Sequence, residues 1–584
     1  MTLQVWSNAQ ILAQIGSGQY WSGSTITYSF PTTSANFSDQ TTAAGFSGFS
    51  AQQQGMGTLA IGLWGDIIAR NLVFTTATNS NIEMANSTST AMGGSYAYTY
   101  FPQDGTAWFN SSYNGISGGA TNDLMHPVIG KHGFATFVHE LGHAFGLDHA
   151  GNYNAGVGTP APTNFQDSTV YSIMSYFGPS SGDGTDAVTS QLYSTEVAWG
   201  KWDQGYDPQT PMLDDIMVMQ SAYGASTTTR AGDTVYGFHS NITGSEASIY
   251  DFNTNQHPIL CIYDSSGNDT LDLSGYTTAS KIDLNPGAFS DCEGMTKNIS
   301  IAYTAIIENA VGGAGNDTIL GNGAGDKLNG GAGNDTITGG AGNDIIIGGS
   351  GADTINGGGG INTASYVGSA TGVTVNLTLV GVAQVSGGDA AGDILTNIQN
   401  LTGSSFNDTM TGDANNNTFQ TGGGSDHING GGGNDTISFA SNAVGVQVNL
   451  GAYAPGSGNT WDGTSMSFLT GIENVIGSAG NDILTGDVNN NVINGGLGNN
   501  TMTGGGGADT FRFTDLNFGV DTVTDYAHFK DHLSFSGSVA NAFTDFVVSN
   551  NDTTNVVLNL MGGGTILLHD TIAIHIDATD FFFV

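Results

Sequence analysis

Apolar residues follow two different rhythms along the chain. From about Trp6 to Gly224 they recur at the mixed spacings of helices and short strands. Leu59, Ile61, Leu63, Trp64, Ile67 and Ile68 predict a helix over Ala51–Arg70. Gly55, Gly57, Gly62 and Gly65 weaken it, since each interior glycine costs ~1 kcal/mol against Ala. Ser95–Tyr100 and Trp108–Asn110 predict short strands, and Gly133–Phe145 has helical periodicity that stops at Gly146. A further helix is expected to open at Thr210-Pro211, with Thr210 as N-cap, Asp214 and Asp215 as charges favouring its positive end, and Gly224 as its stop.

From about Ala225 the texture changes to Gly, Asn, Asp and Thr with single aliphatics, and a fixed period emerges. Five nine-residue units run from Gly312 to Asn356: GGAGNDTIL, GNGAGDKLN, GGAGNDTIT, GGAGNDIII and GGSGADTIN. A sixth, GGGGINTAS, carries Asn362 where Asp is expected. Four more units hold phase over Gly403–Ser438 and another four over Gly477–Arg512. A longer repeat separates the arrays: TASYVGSATGVTVNL (Thr363–Leu377) returns as TISFASNAVGVQVNL (Thr436–Leu450), and NIQNLTGS (Asn397–Ser404) as GIENVIGS (Gly471–Ser478). The distal half is therefore modular.

Charge sharpens this picture. The chain has 584 residues and a net charge of −41, yet 38% of it is hydrophobic and only 10% charged, so the excess reflects nine Lys and Arg rather than disorder. Of the 50 acidic residues seven are Glu, and most of the Asp sit at fixed offsets from glycines, an arrangement that suits oxygen-seeking hard cations. The same balance excludes nucleic acid as a partner, and no apolar run is long enough to span a membrane. The start, MTLQVWSNAQILAQIGSG, lacks the positive and apolar regions of a Sec-type signal, and no long inhibitory pro-segment is expected. Cys261 and Cys292 are compatible with a disulfide or with two buried thiols.

The chemistry concentrates in HELGHAFGLDH, His139–His149. On a helix His139 and His143 lie one turn apart on one face, and Gly146 permits the left-handed turn that brings His149 in as a third ligand. Three neutral nitrogens leave one position open on a zinc ion, as in a catalytic site, and Glu140 stands beside the first ligand to act as general base. This extended motif, followed by Ser172-Ile173-Met174-Ser175-Tyr176, resembles the metzincins and their Met-turn. The resemblance implies Met174 as the floor beneath the metal, and Tyr176 as a displaceable zinc ligand and catalytic hydroxyl. Within that superfamily HELGHAFGLDHAGNYNAG (His139–Gly156), PQTPMLDDIMVMQSAYGA (Pro208–Ala225), TRAGDTVYGF (Thr229–Phe238) and YDSSGNDTLDLSGY (Tyr263–Tyr276) are similar to the serralysins. Ala150 and Asn152 stand where that family more often has Pro and Asp, and cysteine is unusual in it.

In each nonapeptide the glycines turn backbone carbonyls inward, Asp adds a carboxylate, and the aliphatic at position eight enters a narrow core. Two units make one 18-residue turn, and calcium between stacked loops offsets the repulsion of the Asp rows. The expected calcium ligands in the first array are Gly313, Gly315, Asp317, Asn322, Ala324, Asp326, Gly330, Gly331, Ala332, Gly333, Asp335, Gly339, Gly340, Ala341, Gly342, Asp344, Gly348, Ser350, Asp353, Gly357, Gly359 and Asn362. Asp408, Asp426, Asp435, Asp482 and Asp509 extend the set. The serralysin resemblance implies a further site at the domain junction from Arg230, Gly232, Thr234, Asp264, Ser266, Gly267, Asp269, Ile306 and Glu308.

The expected fold class is multidomain: an α+β metzincin protease domain (1–225), then an all-β parallel β-roll of RTX (repeats-in-toxin) type with extra roll repeats. The roll divides into a junction and first calcium roll (226–365), second and third RTX modules (366–440 and 441–512) and a C-terminal β module (513–584). The expected function is a secreted zinc metalloendopeptidase with one catalytic Zn2+ and several structural Ca2+. It would act as a monomer on extended polypeptides, bound as an added strand along Ser95–Tyr100. Asp580–Val584, an Asp followed by four apolar residues, resembles the signal read by type I (ABC) exporters. The alternatives are a calcium-dependent RTX adhesin, which has no use for Glu140, and a lipase. For the lipase, Gly115-Ile116-Ser117-Gly118-Gly119 and Gly178-Pro179-Ser180-Ser181-Gly182 match G-x-S-x-G without the strand and helix a nucleophile elbow needs.

Overall fold

The computed structural model describes residues 5–77, 79–115, 123–151, 162, 164–178, 206–385, 387–454, 457–462, 465–551, 553–561 and 563–584. They divide into two units, Met1–Gly323 and Ala324–Val584.

In the first unit the glycine-rich segment does form a helix, because its start is well capped. Helices α1 (Asn8–Ile15), α2 (Ala51–Ile67), α3 (His132–Phe145) and α4 (Leu213–Tyr223) precede the repeats. At the start of α2, Ser50 Oγ accepts from Gln53 N while Gln53 Oε1 accepts from Ser50 N, which satisfies two otherwise orphaned amides. Five strands, β1 (Thr25–Ser29), β2 (Asn71–Phe74), β3 (Ile82–Ser87), β4 (Ala97–Thr99) and β5 (Thr106–Asn110), form a sheet in the order β2-β1-β3-β5-β4. All neighbours are parallel except β4, which runs antiparallel to β5 with Tyr98 opposite Trp108. β2 and β4 are thus the edge strands, and β4, with three residues, is as short as edges commonly are. Phe109 of β5 stacks on Phe137 of α3 at 4.3 Å, and Trp64 of α2 donates its indole N–H to Val138 O at 3.0 Å. The core so formed grips α3 on both sides.

Thr210 does not cap α4. Met212 is the N-cap residue, and Thr210 Oγ1 instead accepts the amide of Cys261 at 2.9 Å, which binds this segment to strand Leu260–Ile262. Cys261 and Cys292 are both buried free thiols, and burial pushes each up to about 12.

In the second unit most strands are three residues long and bury only the central side chain, as Ile337, Ile355, Met410, Phe419, Ile428, Leu484 and Met502 do. Successive strands on one side pair in parallel 18 residues apart: Thr336–Thr338 pairs with Thr354–Asn356 through Ile337↔Ile355, and Thr501 pairs with Ile483. At the long repeats the spacing widens, so that Thr363 pairs with Asn400 and His427 with Phe468. A three-strand antiparallel meander, Gln447–Ala454, Ser457–Trp461 and Met466–Thr470, fills the second of these intervals. Phe581–Phe583 closes the unit by pairing with Leu533–Phe535, and Phe581 is buried.

Candidate active site

Helix α3 ends where Gly146 takes up φ 108°, ψ 20°, and its amide closes the last turn on Gly142 and His143 carbonyls. A side chain there would be strained by the left-handed backbone and would collide with Gln19 O. The turn brings His149 back against the helix. Ring centroids lie 4.9 Å apart for His139–His143, 4.6 Å for His143–His149 and 5.5 Å for His139–His149, with ligand atoms of the three within 4.8 Å of one another. Among the described residues no other group of three His, Cys, Asp or Glu side chains comes together in this way.

The backbone sets the tautomers. His139 Nδ1 lies 2.7 Å from Ile173 O and His143 Nδ1 2.7 Å from Leu147 O, so each donates there and leaves Nε2 bare. His143 Nε2 and His149 Nε2 face each other at 3.2 Å. Burial holds His139 down at about 3 and His143 well below the usual imidazole range, so both rings are neutral. Convergent bare nitrogens on neutral imidazoles are the donor set zinc takes, and the residues fit the ion.

Glu140 is buried beside this cluster, and burial pushes its carboxyl up to about 8, with Thr99 Oγ1 of β4 opposing the shift by donating at 2.8 Å. A dication next to it favours the charged form. Tyr176 has its ring 4.6 Å from that of His149 and 6.0 Å from that of His139, and is 42% exposed. Its phenol is raised to about 12, first by burial and then by Glu140 and Asp148. Met174 is fully buried against α3, where a Cβ on Gly142 would come within 2.6 Å of its sulfur. A cavity of about 440 Å³, lined in part by Tyr96, His132, Thr136, Glu140 and Tyr176, opens beside the histidines.

Sequence reasoning did not find Thr99, Gly142 or the task of Asp215. Asp214 and Asp215, expected as charges at a helix end, are both fully buried. Asp215 accepts from Ser172 Oγ at 2.6 Å, Ile173 N at 2.7 Å and Met212 N at 2.9 Å, so it ties the segment holding Met174 to the start of α4. The only available signal was an acidic residue in a first helical turn, which does not reveal a long-range partner. Of the two G-x-S-x-G segments, Ile116–Gly119 and 179–182 lie outside the described residues.

The calcium candidates gather oxygens. Asp344, Asp353 and Asp435 each accept a backbone amide from 18 residues earlier on Oδ1, at 2.8–2.9 Å, and bury Oδ2 with no hydrogen-bond partner among the described residues. Asp344 Oδ2 and Gly357 O converge on the side-chain position of Gly339, and Asp435 Oδ2 and Gly471 O on that of Gly430. Such paired carboxylate and carbonyl oxygens fit calcium. Asn362 differs: Oδ1 accepts Asp344 N at 3.0 Å and Nδ2 donates to Gly359 O at 2.9 Å. At the junction Asp269 Oδ1 and Gly232 O converge on Gly267, Asp269 Oδ2 is buried without a hydrogen-bond partner among the described residues, and Glu308 accepts Asp269 N. Asp264 accepts from Tyr236 and from Ser266 N, and Thr234 Oγ1 donates to Gly232 O. The Arg230 side chain turns away to pair with Asp66 and Glu246 at 2.7 Å each, while Ile306 is exposed.

A three-histidine cluster at the end of a helix and a parallel roll lined by carboxylate and carbonyl oxygens are the two features that the comparison with known proteins bears on. Residues 225–426 match the family described as Peptidase M10 serralysin C terminal, and 470–511 the RTX calcium-binding nonapeptide repeat. Metallopeptidase AprA of Pseudomonas marginalis is 39% identical over 310 residues, 51% of this chain and 60% of its own length. Serralysin C of Dickeya chrysanthemi and serralysin of Photorhabdus luminescens are each 38% identical over 47% of this chain and 54% of theirs. The chain therefore spans a little over half the length of these curated relatives, and its likeness is to serralysin-type RTX metalloproteases. Among solved structures, the extracellular lipase LipA of Serratia marcescens covers 32% of this chain and 40% of its own at 17% identity and a TM-score of 0.14, too slight a likeness to bear on fold or activity.

Proposed function

We propose that the protein is a secreted zinc-dependent endopeptidase of extracellular polypeptides, with Glu140 as general base. The observation that carries this reading is the convergence of three imidazoles, two of them with Nε2 left bare by backbone acceptors, beside a buried carboxyl. The printed names of the relatives, metallopeptidase and serralysin, support it.

Substrate binds extended, as an added strand along the outer edge of β4, where main-chain pairing tolerates varied side chains. That edge leads directly to the site, because Thr99 of β4 holds Glu140. His139, His143 and His149 would hold a zinc ion, which when bound would supply Lewis acidity toward the scissile carbonyl and toward water. Glu140 takes a proton from water on its carboxylate and passes it to the leaving amine. The Tyr176 hydroxyl donates to the oxyanion, an interaction made mainly in the transition state. Calcium at the junction and in the roll is structural, the enzyme works as a monomer, and export runs through a type I (ABC) system that reads Asp580–Val584.

Zinc analysis together with casein digestion, with and without chelator, tests the reading. Glu140→Ala is expected to keep zinc and fold while losing roughly 10²–10⁴-fold or more in kcat, and His143→Ala to lose zinc as well. Casein hydrolysis by Glu140→Ala near the wild-type rate would remove the general-base assignment.

A further inference from the structure

The two long repeats differ in one place. Thr374–Asn376 and Gln447–Asn449 are equivalent strands 73 residues apart. After the first, the chain makes turns and a short 3-10 helix at Gly388–Ala390; after the second, it folds into the antiparallel meander. Burial alternates over 447–450, 458–461 and Met466–Thr470. Val448, Thr460, Ser467 and Leu469 point inward and are buried. The opposite set faces outward: Gln447, Asn449, Asn459, Trp461, Met466 and Phe468. Trp461 and Phe468 are each 41% exposed, and Phe468 lies against His427 with ring centroids 5.2 Å apart. In register, Trp461 stands opposite Gln447 and Met466, and Phe468 opposite Asn459. A groove of about 460 Å³ runs along this face, and none of its lining residues is charged.

We infer that this groove is a binding site for an uncharged polysaccharide. A pyranose ring has an apolar C–H face and a rim of hydroxyls. The first matches the exposed indole of Trp461, and the second matches side-chain amides: Gln447, Asn449, whose Oδ1 accepts Gly451 N at 3.0 Å and whose Nδ2 can donate, and Asn459, whose Nδ2 lies 3.9 Å from Met466 Sδ and whose Oδ1 can accept. Charge selects within the carbohydrate class. A chain of net charge −41 repels anionic polymers, and no Lys or Arg in the groove would draw them back. Protein interfaces share the enrichment in aromatic residues and Met but are also enriched in Arg, and no Arg lines this groove. The inference is independent of the peptidase reading.

The test uses the full-length protein in millimolar calcium, incubated separately with insoluble cellulose, chitin and a β-1,3-glucan. Retention on at least one polymer is expected, with elution by soluble oligosaccharide of the same linkage. Trp461→Ala should lower retention at least tenfold and Trp461→Phe far less, with casein hydrolysis by both variants as in the wild type. Asn459→Ala, which leaves the aromatic plane in place, should weaken binding severalfold and guards against a misfolded Trp461 variant. Three outcomes would overturn the proposal: no retention on any of the three polymers, equal retention of wild type and Trp461→Ala, or retention that soluble oligosaccharide does not reverse. A dimer in sedimentation that Trp461→Ala dissolves would likewise overturn it, in favour of a second copy of the chain.

Discussion

Thr99 and Asn417 show how a single hydrogen bond can replace a charge or steady one. Thr99 Oγ1 donates to the catalytic candidate Glu140 and opposes the upward push of burial on its carboxyl. Thr99→Val keeps the shape and removes the donor. A bond to a charged group contributes about 1.5–3 kcal/mol, so kcat should fall roughly 10–100-fold with zinc content unchanged. The acidic limb of the pH–rate profile should move to higher pH, because the carboxyl then holds its proton more tightly. Asn417 occupies an Asp position of the repeat, and its Nδ2 donates to Gln399 O at 2.8 Å. Asn491 does the same to Glu473 O at 2.6 Å. At these corners an amide fills the place that a calcium ion would fill beside Asp435. Asn417→Asp should therefore destabilise the roll in chelator by about 1–3 kcal/mol, the cost of an unsatisfied buried group, and calcium should restore it; denaturant titration in both conditions reads the difference. At this scale His139, Glu140, His143 and His149 were legible because a helix and one turn bring them together within eleven residues. Thr99 and Asp215 were not, because their partners lie about 40 residues away and no spacing rule encodes such a contact.

Among the elements, the roll strands were the easiest to read and the meander the hardest. Each roll strand commits one side chain to the core at a fixed phase, so the nine-residue period announces it. The meander alternates inside and outside over two-residue steps, in a segment where masking glycines and polar residues leave few aliphatics to betray the pattern. Helix α2 ends at Ile67 rather than Arg70 because Ile68 is already extended and bridges to Ala225. The roll also has a calculable response to pH. Burial is the largest cause of the upward shift of Asp426, Asp509 and Asp521 to about 7, and of Asp435 to about 6. Since these folded carboxyls bind protons more tightly than the unfolded chain does, the calcium-free roll gains stability as pH falls from about 7 toward 4, and loses it as pH rises through the same window. Denaturation midpoints measured in chelator should thus be higher at pH 5 than at pH 7.5. With calcium the order should weaken or reverse, because the ion binds the deprotonated form and displaces the protons.

For the molecule as a whole, the surplus of negative charge and the shortage of apolar core have one remedy, a divalent cation held between loops. Nine basic residues in 584 cannot neutralise fifty acidic ones. The parallel pairing at 18-residue intervals carries a second consequence, for how such a chain can change its length. Nine residues carry the backbone from one sheet to the other, and eighteen carry it back to the sheet it left. Length is therefore quantised, and the quantum is the full turn. Excising residues 486–503 should leave every later strand on its own side, and calcium-dependent strand signal and melting should survive nearly intact. Excising only 486–494 should send each following strand to the opposite sheet, set Phe581–Phe583 against the wrong neighbour, and yield a protein that no longer gains strand signal when calcium is added. The unit that evolution can add or discard is thus twice the unit that repeats in the sequence.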